Sequence, residues 1–376
     1  MNLKVVGLRL TLLVLITSVC LLAIEYTARW RFSETVTLFP RYHTSVKYGD
    51  FLIRRLRPNE TFKHTSIDGR WEFSTNSQGY RSNFDFSYAK PDQTLRVIVL
   101  GDSHTEGFEV AQDETYAAQL GLLLTQQGIK EEVMNAGISG FSNAEELVYL
   151  ENEGIRYSPD FVVLGFFAND LEDNLKASLY SLDDKGRLNI QQKTHIPGVS
   201  LLNSYYHIPF TRWLGENSYA YSILFNAIWD TAKHRLALSS RKDGEEYARP
   251  TKDTFSSYEI RLCLAILKEI SRVTHTAGAK FILVDIPTLD TKGHLMASMP
   301  QVIQSSIRND VDAFIDVAKL IKGTPFEFSS HVPHGQRHIS KETHKLIAKE
   351  LCNIINTDRK KATIPPSQRT DPYKGN

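Results

Sequence analysis

Three short apolar runs alternate with two amphipathic segments in the middle of the 376-residue chain. The runs have the length and β-branched content of buried strands, whereas the segments between them repeat apolar residues at helical spacing. In chain order they are "LRVIVL" (95–100), "ETYAAQLGLLLTQQ" (114–127), "EEVMNAGISG" (131–140), "SNAEELVYLENEGIRY" (142–157) and "DFVVLGFFAND" (160–170). This alternation predicts right-handed crossovers and a parallel sheet covered on both faces. We therefore expect a doubly wound, flavodoxin-like, three-layer α/β domain.

The same rhythm returns later in the chain. A helix is predicted over 258–276, a strand over 280–287 and a final helix over 340–356, so the domain spans 94–356. The residues between, 171–255, break the pattern and form an insertion after the third strand. Their position and aromatic content suit either a cap over a substrate or a packing subdomain.

The two ends of the chain differ from this domain. Residues 30–93 are aromatic and polar, with short strands and turn positions at Asn76 and Gly79, and are expected to form an N-terminal extension. Residues 357–376 are polar and contain proline, which predicts a disordered tail.

The N-terminus carries an uncharged run, "LTLLVLITSVCLLAI" (10–24), long enough for a short membrane span. Tyr26 and Trp30 follow it, and the sequence contains no small-x-small cleavage site there. We expect residues 1–29 to be an uncleaved, single-pass signal anchor with the remaining chain outside the cytoplasm, in the periplasm if the protein is bacterial. A removed signal peptide and a buried helix remain alternatives, and basic residues on both flanks leave the orientation open.

Composition narrows the choice of ligand. Lys and Arg number 44 against 43 Asp and Glu, and no basic run is interleaved with aromatic residues, so nucleic acid is not an expected partner. The three cysteines, Cys20, Cys263 and Cys352, lie far apart without CxxC spacing, which predicts neither a disulfide framework nor a thiolate zinc site. No cofactor is expected.

Polar or glycine residues follow each of the three predicted strands. Ser103, Gly140 and Asn169 fall where the carboxyl ends of parallel strands meet, and the loop before the last helix can bring His338 to the same edge. Ester hydrolysis needs an oxygen nucleophile, a base and donors for an oxyanion, and this set supplies them. Each residue also has a plain structural reading, because Ser and Asn suit turns and Gly frees the backbone.

Four blocks of the sequence resemble the SGNH or GDSL hydrolases. "GDSHTEG" is similar to the first block and implies Ser103 as nucleophile, while "NAGISGFSN" is similar to the second and implies the Gly140 N–H as an oxyanion donor. "GFFAND" resembles the third block, with Asn169 as a side-chain donor, although Ala168 replaces the glycine of many members. "HISKETHKLIA" resembles the last block and implies His338 as the base. The Ser103 N–H completes the implied oxyanion hole.

The resemblance covers about 95–356 and departs from the family at one position. The family usually has an aspartate three residues before the catalytic histidine, where this chain has Gly335. Loss of the acid costs a serine protease about 10⁴-fold in turnover. A backbone carbonyl, a distant carboxylate or His334 could orient His338, or the enzyme is slow or inactive. Asp102 is an accessory candidate that is equally suited to a turn.

The resemblance implies a serine esterase that acts on acyl esters, O-acetyl esters of envelope polysaccharide in particular. An O-acyltransferase with the same site and a catalytically impaired glycan-binding or assembly protein are the alternatives. A nucleotide-binding domain is disfavoured, because "GDSHTEG" matches neither phosphate-loop pattern. The histidines of "HVPHGQRH" (331–338) could be metal ligands, but neither Cys nor paired carboxylates accompany them, so no metal is expected.

Overall fold

The computed structural model of the chain describes residues 3–195, 199–240, 255–290, 292–334 and 337–363. The strands are β1 (His43–Tyr48), β2 (Phe51–Leu56), β3 (Thr61–Ser66), β4 (Gly69–Ser74), β5 (Leu95–Gly101), β6 (Glu131–Asn135), β7 (Phe161–Phe166), β8 (Tyr180–Leu182), β9 (Leu188–Ile190), β10 (Lys280–Asp285), β11 (Thr288–Leu289), β12 (Leu295–Met296) and β13 (Ala313–Asp316). The α-helices are α1 (Leu3–Phe32), α2 (Ser103–Glu106), α3 (Tyr116–Gln126), α4 (Asn143–Asn152), α5 (Asp170–Ala177), α6 (Val199–Tyr206), α7 (Thr211–Asn217), α8 (Tyr219–Ser240), α9 (Ser257–Thr276), α10 (Gln301–Ile307), α11 (Val317–Ile321) and α12 (Lys341–Thr363).

A five-stranded parallel sheet in the order β13-β10-β7-β5-β6 forms the centre of the protein. Numbered along the chain within this sheet, the order is 2-1-3-4-5 read from β6, which is the flavodoxin-like arrangement. The order reverses between β5 and β7, whose residues Val99 and Val163 are paired. The expected doubly wound α/β fold is confirmed.

Both faces of the sheet are covered by helices. Along β5, Ile98 and Leu100 pack with α4 and α9 on one face, while Val97 and Val99 pack with α3 and α12 on the other. Successive strand residues point to opposite faces, so a strand buried on both sides must be apolar throughout. This explains why the strand runs are continuous rather than alternating in polarity.

The fifth strand, β13, has no counterpart in the sequence prediction. It has four residues, and only Ile315 among them is buried. A short edge strand with half-exposed residues carries too little periodicity to be recognised. The flanking helices α10 and α11 are also short, with seven and five residues. A capping box begins α4, in which the Ser142 N–H donates to Glu145 Oε2 at 2.8 Å.

Helix α1 is long and apolar enough to cross a membrane, with a mean hydropathy of 2.4, and none of its residues is buried. It continues to Phe32, three residues beyond the predicted end of the anchor. The extension that follows forms two antiparallel hairpins, β1–β2 and β3–β4.

The insertion contributes α5, the β8–β9 hairpin and helices α6 to α8, while its residues 196–198 and 241–254 lie outside the described part. The predicted tail needs a correction. Residues 357–363 continue α12, in which Asp358 Oδ1 lies 3.4 Å from Lys280 Nζ beside β10. The rest of the predicted tail, 364–376, lies outside the described residues.

Candidate active site

Ser103 is the first residue of α2, at the sharp turn that follows β5. Asp102 caps this helix, since its Oδ1 accepts the His104 N–H at 2.9 Å. The Asp102 side chain is buried, and burial raises the pKa of its carboxyl to about 6. The turn therefore presents the serine hydroxyl at the carboxyl end of β5, as the sequence predicts.

The short helix α2 fits against backbone that has room for it only because glycine is present. A Cβ at Gly137 would meet the Glu106 backbone nitrogen and would lie 2.7 Å from the Thr105 carbonyl carbon. Asn135 Nδ2 donates to the Thr105 carbonyl at 3.0 Å, and Asn135 Oδ1 accepts the Gly137 N–H at 3.0 Å. The end of β6 thus fixes the position of α2.

His338 lies beside the serine hydroxyl, with its Nε2 2.8 Å from Ser103 Oγ. The loop that carries it is attached to the preceding segment, because the Val332 N–H donates to the His338 carbonyl at 2.8 Å. The imidazole packs between two rings, with centroid distances of 4.7 Å to His104 and 4.8 Å to Phe108. The structure therefore brings together the two residues that the sequence analysis named as nucleophile and base.

An acidic side chain contacts the far side of the imidazole. Glu109 Oε2 is 3.4 Å from His338 Nδ1 and accepts the His338 backbone N–H at 3.3 Å. The 3.4 Å contact is an ion-pair distance without the geometry of a hydrogen bond. Position 335, where the family has its aspartate, lies outside the described residues together with Gln336. A carboxylate from the loop after the nucleophile stands where an orienting acid would stand.

Residues of the N-terminal extension hold Glu109 in place. The Thr37 hydroxyl donates to Glu109 Oε1 at 2.6 Å, and the carboxylate is fully buried. Glu109 has φ 64°, in the left-handed region, where a residue other than glycine persists only if its surroundings fix it.

Arg81 supplies part of that constraint. Its guanidinium donates to the carbonyls of Glu106, Gly107 and Val110 at 2.6–2.9 Å, so it fastens the loop on both sides of Glu109. Burial lowers the pKa of Arg81 to about 10, which leaves it charged at neutral pH. Neither Glu109 nor Arg81 was predicted from the sequence. Their only signals are an acid six positions after the serine and an arginine in "NSQGYRS".

Two backbone donors at the site are available to a ligand. Within the described residues, neither the Ser103 N–H nor the Gly140 N–H has an intramolecular acceptor. Gly140 has φ 76°, which favours glycine, and the Arg54 guanidinium donates to its carbonyl. Glu106 Oε2 accepts the Ser139 N–H at 2.6 Å and so ties this loop to α2.

Asn169 differs from these donors because its amide is already engaged. Its Nδ2 donates to Asp173 Oδ2 at 2.9 Å. Asp170, next to it, is buried rather than solvated, since its Oδ2 accepts the Phe167 N–H at 2.9 Å. This contact shapes the loop that carries Asn169.

Asp102, Glu146 and Asp170 form a group of buried carboxyls behind the site. Burial raises the pKa of Glu146 to about 8 and that of Asp170 well above its usual range. Asn143 Nδ2 donates to Glu146 Oε2 at 3.0 Å and to Asp170 Oδ2 at 3.2 Å. At neutral pH the group holds protons that the same residues would release in water.

Three other histidines lie near His338 in the sequence, and each contacts a different group of the protein. His334 Nδ1 is 2.7 Å from Asp68 Oδ1, and His331 Nε2 is 3.1 Å from the Pro287 carbonyl. His344 Nδ1 accepts the Tyr116 N–H at 3.1 Å. Across the described ranges, no group of three metal-ligating side chains could hold an ion. His334, named as an accessory to His338, is thus bound to a carboxylate of the extension instead.

His104, which the nucleophile turn carries next to Ser103, is buried and not exposed. Its Nδ1 accepts the Ile339 N–H at 3.3 Å, and its ring lies tilted against Phe167 with a centroid distance of 4.1 Å. Burial lowers the pKa of His104 well below its usual range, so the ring is neutral. His104 therefore packs beside His338 as a neutral ring.

A groove of about 560 Å³ opens beside Glu109, between the β3–β4 hairpin and the loop before α12. Asp68 and Trp71 line one wall, and Phe326 and His331 line the other. Glu109 lines this groove, whereas Ser103 and His338 do not.

No protein-family model matches the chain, and no curated protein matches it. Similar solved structures include LAE5, an alpha/beta hydrolase enzyme from the metagenome of Lake Arreo, Spain (12% identity, TM-score 0.41, covering 72% of this chain and 97% of that chain). Another is Axe2, an acetylxylan esterase from Geobacillus stearothermophilus (14% identity, TM-score 0.38, covering 72% and 96%). A third is TesA (12% identity, TM-score 0.36, covering 70% and 98%). Because these TM-scores lie below 0.5, we base the function on the contacts within the site.

Proposed function

We propose that this protein is a serine esterase that hydrolyses acyl esters, with Ser103 as nucleophile and His338 as base. The 2.8 Å contact between His338 Nε2 and Ser103 Oγ carries the proposal, because it joins a hydroxyl to a base within proton-transfer distance. The position of the pair beyond the carboxyl end of β5 supports it, since ligands of open parallel sheets bind there.

Acylation begins when His338 Nε2 takes the Ser103 proton and Oγ attacks the acyl carbon. The carbonyl oxygen becomes an oxyanion facing the N–H groups of Ser103 and Gly140, and Asn169 Nδ2 carries a second proton beside the one given to Asp173. The tetrahedral intermediate collapses, the alcohol leaves, and the imidazolium returns the proton to it. Water then attacks the acyl-serine with His338 as base, the bond from the acyl carbon to Oγ breaks, and the imidazolium returns the proton to Ser103 as the acid departs.

Glu109 acts as a positioning residue in this scheme. Its carboxylate, 3.4 Å from Nδ1, stabilises the imidazolium that forms during each proton transfer. The buried setting strengthens this attraction compared with water. The acid thus comes from a distant carboxylate, one of the options left open by the departure at position 335, and a non-catalytic glycan-binding protein loses its main supporting argument.

We infer that the substrate is a short acyl ester on carbohydrate, O-acetyl above all. Trp71, in the groove beside Glu109, offers an apolar ring face to a sugar. An O-acyltransferase remains the second candidate. The same acyl-serine would then react with a sugar hydroxyl in place of water.

We further propose that α1 anchors the protein in a membrane with the catalytic domain outside the cytoplasm. Glu25, directly after the apolar run, accepts hydrogen bonds from the Ser218 hydroxyl at 2.7 Å and from the Tyr219 and Ala220 N–H groups at 3.1 Å. The end of α1 is therefore built into the insertion, which favours a retained helix over a removed signal peptide.

A serine-directed fluorophosphonate and an aryl acetate test the esterase proposal on the full-length protein in detergent. Wild type is expected to label and to release acetate, whereas Ser103→Ala and His338→Ala each abolish both, and the double variant is no worse than either single one. His334→Ala, whose imidazole contacts Asp68, is the control and should retain most activity. Absence of Ser103-dependent labelling and turnover in wild type, on aryl and carbohydrate acetates alike, would overturn the proposal.

A further inference from the structure

Five large hydrophobic side chains of the insertion project into solvent within a stretch of 21 residues. Their exposed fractions lie between 52% and 79%. They are Ile208, Phe210, Trp213, Leu224 and Ile228, which we call the α7–α8 surface. A cluster of this kind on a folded protein marks a contact with another apolar phase or molecule.

The exposed side of α8 is a continuous helical face. Leu224, Ala227, Ile228 and Thr231 are exposed and follow i, i+3, i+4, i+7 spacing. The other side of the helix is already packed: the Phe225 ring lies 4.7 Å from the Tyr205 ring of α6, and the Arg41 guanidinium lies over the Phe225 ring at 5.0 Å. The helix cannot turn its apolar face inward without losing those contacts.

The loop before α7 is also held with its apolar side chains outward. Phe210 has φ 68°, a left-handed conformation that is unfavourable for a non-glycine residue unless its neighbours impose it. The Leu214 N–H donates to the Phe210 carbonyl at 2.8 Å, and Arg212 donates to Glu60 Oε2 at 2.9 Å. The first bond closes the first turn of α7, and the second ties α7 to Glu60, just before β3, while Phe210 and Trp213 stay exposed.

The surface starts where the apolar helix α1 ends. Glu25 caps the first turn of α8, Arg29 donates to the Asn217 carbonyl at 3.1 Å, and the Arg29 guanidinium lies 5.1 Å from the Tyr219 ring centroid. Glu25 follows the uncharged run by one residue, and each helical residue adds about 1.5 Å. The first turn of α8 therefore lies at the level where α1 passes from apolar to polar, which is where Tyr and Trp collect at a bilayer surface.

We propose that the α7–α8 surface rests on the bilayer that holds α1, with Phe210 and Trp213 in the headgroup region and the exposed face of α8 against the lipid. The proposal rests on the membrane anchor proposed above. Amphipathic helices bind in this way, with the apolar face just below the headgroups. Two attachments, one spanning and one interfacial, then fix the orientation of the catalytic domain.

This orientation reaches the site through a short segment of chain. Residues 33–42 connect α1 to β1, and within them Arg41 contacts Phe225 of α8 while Thr37 donates to Glu109. If both attachments hold the domain on the bilayer, the active site lies at a constant distance from the membrane surface. This suits an ester presented close to the membrane.

Nitroxide labels with power-saturation EPR test the docking on the full chain in phosphatidylcholine–phosphatidylglycerol vesicles. Native Cys20, exposed in α1, takes a label and reports on the anchor, since Cys263 and Cys352 are buried. Trp213→Cys and Leu224→Cys, each in a Cys20→Ala background, report on the surface. Val302→Cys is the matched control, because Val302 is 53% exposed but lies on α10, away from the insertion.

Labels at 213 and 224 should show a severalfold higher ratio of oxygen to nickel-chelate accessibility than the label at 302, approaching the ratio at 20. Ratios equal to that at 302, with a lipid-like value at 20, would overturn the docking and leave the anchor standing. A water-like value at 20 would contradict the anchor and the docking with it. Shielding of 213 and 224 from both reagents, with spin–spin broadening, would assign the surface to a second copy of the chain and overturn the proposal.

Discussion

The acid that faces His338 shows how one residue can serve a role at a different place in the chain. Glu109 reaches Nδ1 from the loop after the nucleophile, whereas the family pattern places an aspartate just before the histidine. Only a strained backbone at φ 64°, fastened by Arg81 and covered by Thr37, brings the longer glutamate side chain there. Because this glutamate reaches His338 from a distant part of the chain, the spacing of the sequence motif could not predict it.

Replacing Glu109 by glutamine tests its role. The amide oxygen can still accept the His338 backbone N–H, and the Thr37 hydroxyl can turn to accept from the amide nitrogen, so the fold should persist. The imidazolium loses its counter-charge, and we expect kcat on an aryl acetate to fall roughly 10²- to 10⁴-fold with KM little changed. Steady-state kinetics and the rate of fluorophosphonate labelling measure this.

The matched control for that variant is Asp290→Asn. Asp290 also lies against a histidine Nδ1, at 2.9 Å, but the histidine is His294, which lies outside the site. Its kcat should stay within about threefold of wild type, as expected of a partly exposed pair. Equal losses in the two variants, or an unchanged kcat in Glu109→Gln, would remove Glu109 from the mechanism.

At the scale of elements, periodicity predicted what is long and buried. Strands β5, β7 and β10 and helices α3, α4 and α9 lie close to their predicted ranges because their apolar spacing is set by two-sided burial. The edge strand β13 and the end of α12 were missed, since both are governed by local contacts at the surface.

Ser103, Gly140, Asn169 and His338 were predicted because each follows a recognisable element or block. The packing that positions them, including Arg81 and the group of buried carboxyls, depends on contacts between residues far apart in sequence. Such contacts leave no periodic signal.

The packing of Gly137 against α2 gives a prediction at the scale of elements. Gly137 has no positive φ, so a methyl group there acts only through its clash with the backbone of Thr105 and Glu106. We expect Gly137→Ala to displace α2, lower the thermal midpoint and reduce ester hydrolysis more than tenfold, since a shift of about 1 Å in a catalytic group can cost about 10²-fold. Differential scanning fluorimetry and aryl acetate kinetics measure both effects.

Gly121→Ala is the control for the glycine substitution. Gly121 lies within α3, and a Cβ there would meet only the Glu131 carboxylate, at 3.2 Å, at the end of a flexible side chain. Alanine in a helix interior is favoured over glycine by up to about 1 kcal/mol, so stability should hold or rise. If Gly137→Ala matches Gly121→Ala in both measurements, the position of α2 does not depend on the glycine.

Over the whole molecule, two sets of buried groups oppose each other as pH changes. Burial lowers the pKa of five histidines, to about 4 for His331 and about 3 for His344. The unfolded chain takes up protons there below about pH 6.5, so their neutral burial destabilises the fold as pH falls. The buried carboxyls behave in the opposite sense, because the fold retains protons that the unfolded chain releases above about pH 4 to 4.5.

Above about pH 6.5 the histidines are neutral in both states, and the carboxyls dominate the balance between these two sets. Glu146, with a pKa of about 8, still holds its proton in the fold, so stability should fall from about pH 6.5 to 8 by up to about 1.4 kcal/mol per pH unit for each proton retained. Glu146→Gln keeps an oxygen for Asn143 but has no proton to lose, and the slope should flatten. Urea unfolding of the full chain in detergent measures the slope, with Glu72→Gln, an exposed carboxyl paired with Lys63, as the control that leaves it unchanged. A slope in Glu146→Gln equal to that of wild type would show that Glu146 is ionised in the folded protein. The proton retained by the fold would then belong to a different carboxyl.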